Sequence, residues 1–514
     1  MVRKKITAII IMTAMLLMCL SCASHKKYDL DECYEGIDIS GKPVTITYLT
    51  IGDKPTNGMT EQVIDELNKI LLKKANAKLD IYYVAWDDYL SNYNSALSMD
   101  GDSIDLVGTG SDWLDAWPNV LNGNFLPLSK ELLKTYCPRT YANVSDRDWE
   151  CCSYNGKIYL IPENEYTQWT NHGFIYREDI AREAGIGEIK SWNDLDSYFK
   201  YVRTTRPRMV PWDADGKKTI HALGYLMSVR QYVPIYELGT YGVWGAYSTN
   251  PGKIVSPYYE GESFVSFARL MKEWDRIGVW REDLNYAGKN DDEFYAGETA
   301  VIQHHTQNFY TIIKPNMEIV KPEARTKFFY FGEENGNLIR TSILHGAVGI
   351  SSKSKNPERA LMVYDILRND EECYRLMNYG IEGVQYIINK DGMLEKPSGY
   401  NDERDGIVTN FWWGRRDEFE IKNSSFAWDD YEALVSNYDV IAKDYPWDRV
   451  SFSKPEINEK IQGVLKVCDK YVPLIAYGQY EASPEEEVRL FREELKAAGI
   501  EEITAELQKI LDSD

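Results

Sequence analysis

The sequence predicts an α/β fold with mostly parallel pairing, and three observations carry that prediction. Residues 43–51 alternate apolar and polar in β-branched style, as a strand does. Val63, Ile64, Leu67, Ile70 and Leu71 then fall on one helical stripe. Leu79, Ile81 and Tyr83 alternate again, and after a further helical stretch residues 104–109 form a short apolar run ending in small residues. Strand, helix, strand, helix, strand is the order of right-handed parallel units. In such sheets ligands lie beyond the C-terminal ends of the strands, which puts the loops 52–57 and 109–113 on one rim.

Each element has its own punctuation. Gly52-Asp53-Lys54-Pro55 is a loop, and the helix from Met59 to Lys74 ends on Lys73 and Lys74, the charge its carbonyl end favours. Asn356-Pro357-Glu358 supplies an N-cap, a proline at the first position and an acid in the first turn. Ser483-Pro484-Glu485-Glu486 is a capping box; Val488, Phe491 and Leu495 form the apolar face of that helix and Gly499 closes it. A last amphipathic helix points Ile503, Leu507, Ile510 and Leu511 inward.

Composition narrows the function. With 58 Lys and Arg against 80 Asp and Glu, the net charge is −22, which repels nucleic acid and anionic lipid. A chain of 514 residues is long enough for two to three domains. Its 14 Trp, 37 Tyr and 15 Phe are a rich supply of the flat faces that hold sugar rings.

The N-terminus reads as an address. Arg3-Lys4-Lys5 precedes an apolar run from Ile6 to Leu20, too short for a comfortable span and right for a secretory signal at 1–21. Cys19-Leu20-Ser21-Cys22 resembles a bacterial lipobox, with Cys22 as the lipidated residue and 22–42 as a polar tether. The working body is therefore expected outside the cytoplasm, anchored to the cell membrane by lipid. Cys33, Cys137, Cys151, Cys152, Cys373 and Cys468 are too sparse for a disulfide scaffold and read as free thiols; a Cys137 bridge to Cys151 or Cys152 is the alternative. No metal or other cofactor is expected. Asp213-Ala-Asp215-Gly216 opens like a calcium loop but lacks the distal acid, so it reads as a polar turn.

Five stretches in order resemble the extracellular solute-binding proteins of ABC importers, maltose-binding-like group. They are 154–162, 174–179 with 183–186, Ser191-Trp192-Asn193-Asp194-Leu195, 294–301, and 347–351 with 356–360. Residues 378–386 and the tail from Val450 are similar to the LipO/LplA-like subgroup. Trp412-Trp413-Gly414-Arg415 departs from it, Arg415 standing where the subgroup has Asn.

The resemblance implies a two-lobed periplasmic-binding-protein-like type II fold, with a hinge between lobes and an extended C-terminal helical segment. Lobe 1 would comprise 43–166 and 347–395, lobe 2 167–346 and 396–514. Such a protein captures a solute, here an oligosaccharide, in the interlobe cleft; it delivers it to an ABC permease and works as a monomer without catalysis. The candidate contacts are Asp53 and Lys54 after the first strand, and Thr109, Ser111, Asp112 and Trp113 after the third. Glu165, Tyr166 and Trp169 sit at the first crossover. Tyr241 and Trp244 lie in a Gly-rich run, His304 follows the 294–301 stretch, and Trp412, Trp413 and Arg415 lie late in the chain. Arg415 is placed to pair with a ligand carboxylate. The competing readings are a surface glycoside hydrolase, which would need two carboxylates about 5–10 Å apart, and a sugar-sensing lipoprotein.

Overall fold

The computed structural model describes residues 31–99, 104–164, 169, 171–214, 216, 219–286 and 288–513. The expected signal at 1–21, the expected lipidation site Cys22, and Glu165, Tyr166 and Asp215 lie outside the described residues.

The first lobe is built on a five-stranded sheet in the order Ala77–Val84, Val44–Ile51, Leu106–Thr109, Ala347–Ile350, Leu160–Pro162. The first three strands run parallel, as their helical connections require. Ala347–Ile350 is antiparallel to both neighbours, because the chain enters it on its return from the second lobe. Helix Met59–Lys74 covers the sheet with Val63, Ile64, Leu67 and Leu71, the stripe read from the sequence.

The strands of the second lobe pair differently. In the second lobe His172–Arg177 lies between Val301–His305 and Thr326–Tyr330, all antiparallel. A second antiparallel sheet joins Tyr232–Pro234, Gly245–Tyr247 and Asn250–Val255. Helices Pro455–Ala476, Pro484–Ala497 and Ile500–Ser513 bury Val464, Phe491 and Leu507 in the largest core, alongside Phe264 and Trp274. The Ser483 hydroxyl accepts from Glu486 N, so that cap forms as read. Asn356 occupies its N-cap position without a side-chain cap bond; Pro357 and the first-turn acid Glu358 mark that start as read.

Two boundaries fall elsewhere than expected. Phe411 and Trp413 sit in the first core, not the second. The reason is local: Tyr48 and Thr50 hydroxyls donate to Asn410 O, and Tyr83 donates to Val408 O. These bonds lay 408–413 across the ends of the first two strands, and the chain joins the second lobe only where Ala427 N donates to Tyr310 O. The other is the tether. Tyr34 and Ile39 are buried in the first core, Tyr34 Oη donates to Asp365 Oδ2 at 2.6 Å, and Asp31 pairs with Lys74 and Arg139. Residues from Asp31 onward are thus docked on the first lobe rather than free.

All six described cysteines are unbridged, Cys33 exposed and the others buried. Among the described residues no helix is long and apolar enough to cross a membrane.

Candidate functional site

The first-lobe rim carries a stack of aromatic rings. Trp86 follows the strand Ala77–Val84, and its backbone N–H donates to Asp53 Oδ1 at 3.2 Å. Its ring is 46% exposed, and that of Trp412, 6.0 Å away and tilted by 31°, is 40% exposed. Trp113 stacks on Trp86 at 6.4 Å and 19°, and Trp413 stacks on Trp113 at 6.3 Å and 9°. Tyr89 packs against both Trp86 and Trp113, while Tyr48 meets Trp413 edge-on.

The small residues after the third strand make this stack possible. A Cβ at Gly108 would run into the Trp413 ring, and one at Gly110 into Trp113 and His345 O. Buried Trp413 thus forms the floor, half-buried Trp113 the middle, and Trp86 and Trp412 the exposed top. Nonpolar rings bound on one side by protein and open on the other are the arrangement that receives the apolar face of a pyranose.

Ionisable groups from the loop after the third strand and from the chain beside Leu160–Pro162 and Ala347–Ile350 meet behind the stack. Asp112 Oδ2 lies 2.8 Å from His345 Nδ1, and Trp113 Nε1 donates to His345 O at 2.8 Å. Burial would lower the His345 pKa, but the Asp112 carboxylate outweighs it and holds it above the ordinary value. Glu163 lies at the end of Leu160–Pro162, and burial pushes its carboxyl up to about 8 against the pull of His345, Arg415 and Arg368. Its Oε1 has no hydrogen-bond partner among the described residues.

A pH dependence follows. Both groups bind more protons folded than unfolded. The His345 contribution is complete below its unfolded value of about 6.5 and is lost as pH rises through its folded value. For Glu163 stability falls between its unfolded value of about 4.3 and about 8. Glu163→Gln is therefore expected to leave the melting temperature near that of the parent at pH 4 and to raise it progressively toward pH 8. Paired thermal melts across that range read the difference; a constant offset at every pH would refute it.

The second lobe contributes a cavity of about 360 Å³ lined by His172, Thr219, Leu223, Tyr241, Gln303 and His304. It brings together Tyr241 and His304, sixty-odd residues apart in the chain. Tyr241 Oη donates to Asp469 at 2.8 Å, and His304 Nδ1 accepts from His305 N at 3.0 Å. Nearer the hinge, Ser111 and Asp112 face Tyr236, Glu237, Tyr445 and Asp448 across a gap of about 30 Å³. Burial raises Glu237 to about 8 and Asp448 to about 6.

Other expected contacts are spent inside the protein. Thr109 and Trp244 are fully buried, and Trp244 Nε1 donates to Thr504 Oγ1 at 3.1 Å; both support the core, as does Trp413. Trp169 is 8% exposed, packed edge-on against Tyr438 at 5.0 Å with Arg340 over its ring. Lys54 pairs with Glu61 at 3.5 Å on the surface. The Arg415 guanidinium pairs with Asp417 at 2.7 Å and Glu420 at 3.4 Å, which leaves it a poor partner for a ligand carboxylate. Sequence reasoning missed Trp86 and Tyr89, although the strand-end rule that selected 52–57 and 109–113 applies equally to the end of Ala77–Val84. Among the described residues no group of three or more His, Cys, Asp or Glu is arranged to hold a metal ion.

The fold has counterparts among known proteins. A domain of unknown function (DUF3502) matches residues 449–513, the tail that resembles LipO-type proteins. A carbohydrate ABC transporter substrate-binding protein of Streptococcus pneumoniae serotype 4 is 23% identical over 492 residues, spanning 92% of this chain and 91% of that one. The crystal structure of the N-glycan transport solute binding protein NgtS from Streptococcus pneumoniae superposes with a TM-score of 0.68 at 20% identity, covering 92% of this chain and 99% of that one. A human-milk-oligosaccharide (HMO) binding, ABC-transporter-associated solute binding protein from Bifidobacterium longum infantis gives 0.64 at 15% identity, with 92% and 99% covered. The chain has the two-lobed fold of these extracellular solute-binding proteins, in agreement with the resemblance read from its sequence.

Proposed function

We propose that this chain, folded as a two-lobed solute-binding protein, captures an oligosaccharide between its lobes and delivers it to an ABC permease. The observation that carries the reading is the exposed Trp86 and Trp412 pair, backed by Trp113 and Trp413, on the strand-end rim of the first lobe. Sugar rings stack on the exposed pair. The second-lobe cavity with Tyr241, Gln303 and His304 supplies hydrogen-bonding groups from the opposite wall. A solute touching both walls favours the closed arrangement over the open one, because only the closed form makes both sets of contacts. The relatives' roles in carbohydrate transport support the same reading.

Asp53 acts through Trp86, holding its backbone, and Asp112 through His345 and Trp113. Ser111 faces the gap between the lobes. Outside the cytoplasm, lipidation of Cys22 followed by docking of Asp31 onward ties the membrane anchor to the first lobe, so the second lobe is the one that swings. The protein works as a monomer.

A thermal-shift screen against neutral and uronic oligosaccharides and peptides tests the function. A sugar at one hundred times its dissociation constant is expected to add about 2.7 kcal/mol of stability, and to be recovered intact. Stabilisation by peptides alone, or recovery of cleaved sugar, would contradict it.

A further inference from the structure

The first lobe holds a larger cavity, of about 630 Å³, whose lining includes none of the stacked rings. Its volume is within the range of roughly 300–1,000 Å³ typical of ligand pockets. Tyr379, Tyr386 and Tyr400 supply aromatic surface, and Asn378, Glu395 and Asn423 supply hydrogen-bonding groups. Lys396 lines it as well, its ammonium 3.9 Å from the centre of the Tyr400 ring and 3.8 Å from Asp402. Flat apolar faces set among polar groups of both signs suit a polyhydroxylated ring.

The walls are fixed in advance. Asn57 Nδ2 donates to Glu403 O at 3.2 Å and Gly406 O at 2.8 Å, tying the loop after the first strand to the 403–406 turn. Gln385 accepts from Ile381 N at 2.8 Å and donates to Asp405 O at 3.2 Å. Leu394 N donates to Lys422 O, and Ser424 N donates to Leu394 O, which pins the third wall. A pocket held this way loses little entropy when it binds.

Its position relates it to the ring stack. One wall is Pro55, Thr56 and Asn57, from the loop whose Asp53 holds the Trp86 backbone. Another is 406–408, four residues before Trp412. The two segments that support the exposed tryptophans thus each supply part of the lining of this cavity.

We infer that the cavity is a distal subsite for the far end or a branch of a long oligosaccharide whose near end stacks on Trp86 and Trp412. This rests on the carbohydrate-binding reading above. The site then prefers long or branched glycans over disaccharides, since only the longer ones reach both places.

The experiment compares short and long probes by calorimetry: Man1GlcNAc with Man5GlcNAc, and maltose with maltoheptaose. The parent protein is expected to bind the longer member of the accepted series at least tenfold more tightly. Tyr400→Ala, which removes a half-buried wall ring, and Glu395→Trp, which fills the cavity from an exposed position, are expected to cut that preference to within about threefold. Affinity for the short member and the melting temperature stay near parental values. If both variants keep the full length preference, or lose short and long probes equally, the subsite is refuted and the carbohydrate reading stands. If the parent binds neither series nor any other oligosaccharide, the carbohydrate reading fails and the subsite falls with it.

Discussion

Replacing Trp86 and Trp412 together with alanine is expected to weaken oligosaccharide binding by two orders of magnitude or more without destabilising the fold. Exposed tryptophans that become buried against a ligand are the side chains that dominate binding energies, commonly about 2 kcal/mol each. That corresponds to roughly 30-fold per ring. The rings lie 6.0 Å apart, so they share the same ligand and their contributions will not add simply. The fold is spared because both rings project from the rim: 46% and 40% of their surface is already in water. Calorimetric titration of the single and double variants, with thermal melts alongside, reads both quantities. Parental affinity in the double variant would show that the stack is not the sugar platform.

Trp413→Ala gives the opposite partition, a large loss of stability. Trp413 is 1% exposed. It stacks on Trp113 at 6.3 Å, meets Tyr48 edge-on at 6.1 Å, and its carbonyl accepts from Tyr364 Oη at 2.8 Å. Truncating a buried aromatic of this kind costs about 3–5 kcal/mol. The cavity also removes the floor under Trp113, so binding weakens as a consequence of the lost order. Denaturant unfolding of the variant measures the cost. A loss under about 1 kcal/mol would mean the stack is held elsewhere, since that is the range of surface changes. The two adjacent tryptophans thus separate cleanly, one serving the ligand and one the core, and only burial tells them apart.

That separation marks how far the sequence could be read. Local signals were legible: the β-branched alternation at 44–51, the stripe of Val63, Ile64, Leu67 and Leu71, and the Ser483 cap all formed where expected. The two-lobed architecture was legible through the ordered family-like segments. Contacts between distant segments were not. Nothing in residues 406–414 says that Asn410 O will take hydrogen bonds from Tyr48 and Thr50, some 360 positions earlier. For that reason Trp413 was assigned to the second lobe. Nor does the local sequence show that the missing side chains of Gly108 and Gly110 make room for Trp413 and Trp113. The Gly-rich run 239–245 points to a wall with aromatic contacts. Its Tyr241 lines the second-lobe cavity, whereas Trp244 turns into the core toward Thr504. Trp86 lies within reach of the strand-end rule, since it follows the strand Ala77–Val84, but no run of small residues marks that loop as one marks 108–111.

Acidity at the hinge adds a constraint on how the cleft works. Glu163, Glu237 and Asp448 are all raised by burial, and the second and third face Asp112 across the narrow interlobe gap. Packing carboxyls together in a closed gap is tolerable when some are protonated. The Glu163→Gln melts therefore report on the same region that the lobes must open and close around.

The most direct measurement of the central claim is a calorimetric titration of the parent protein and the Trp86→Ala/Trp412→Ala variant with the same oligosaccharide, followed by recovery of the sugar. The account predicts one saturable site in the parent, its near-complete loss in a variant that melts at the parental temperature, and intact sugar at the end. Undiminished binding in the variant, or cleaved sugar from the parent, would contradict it.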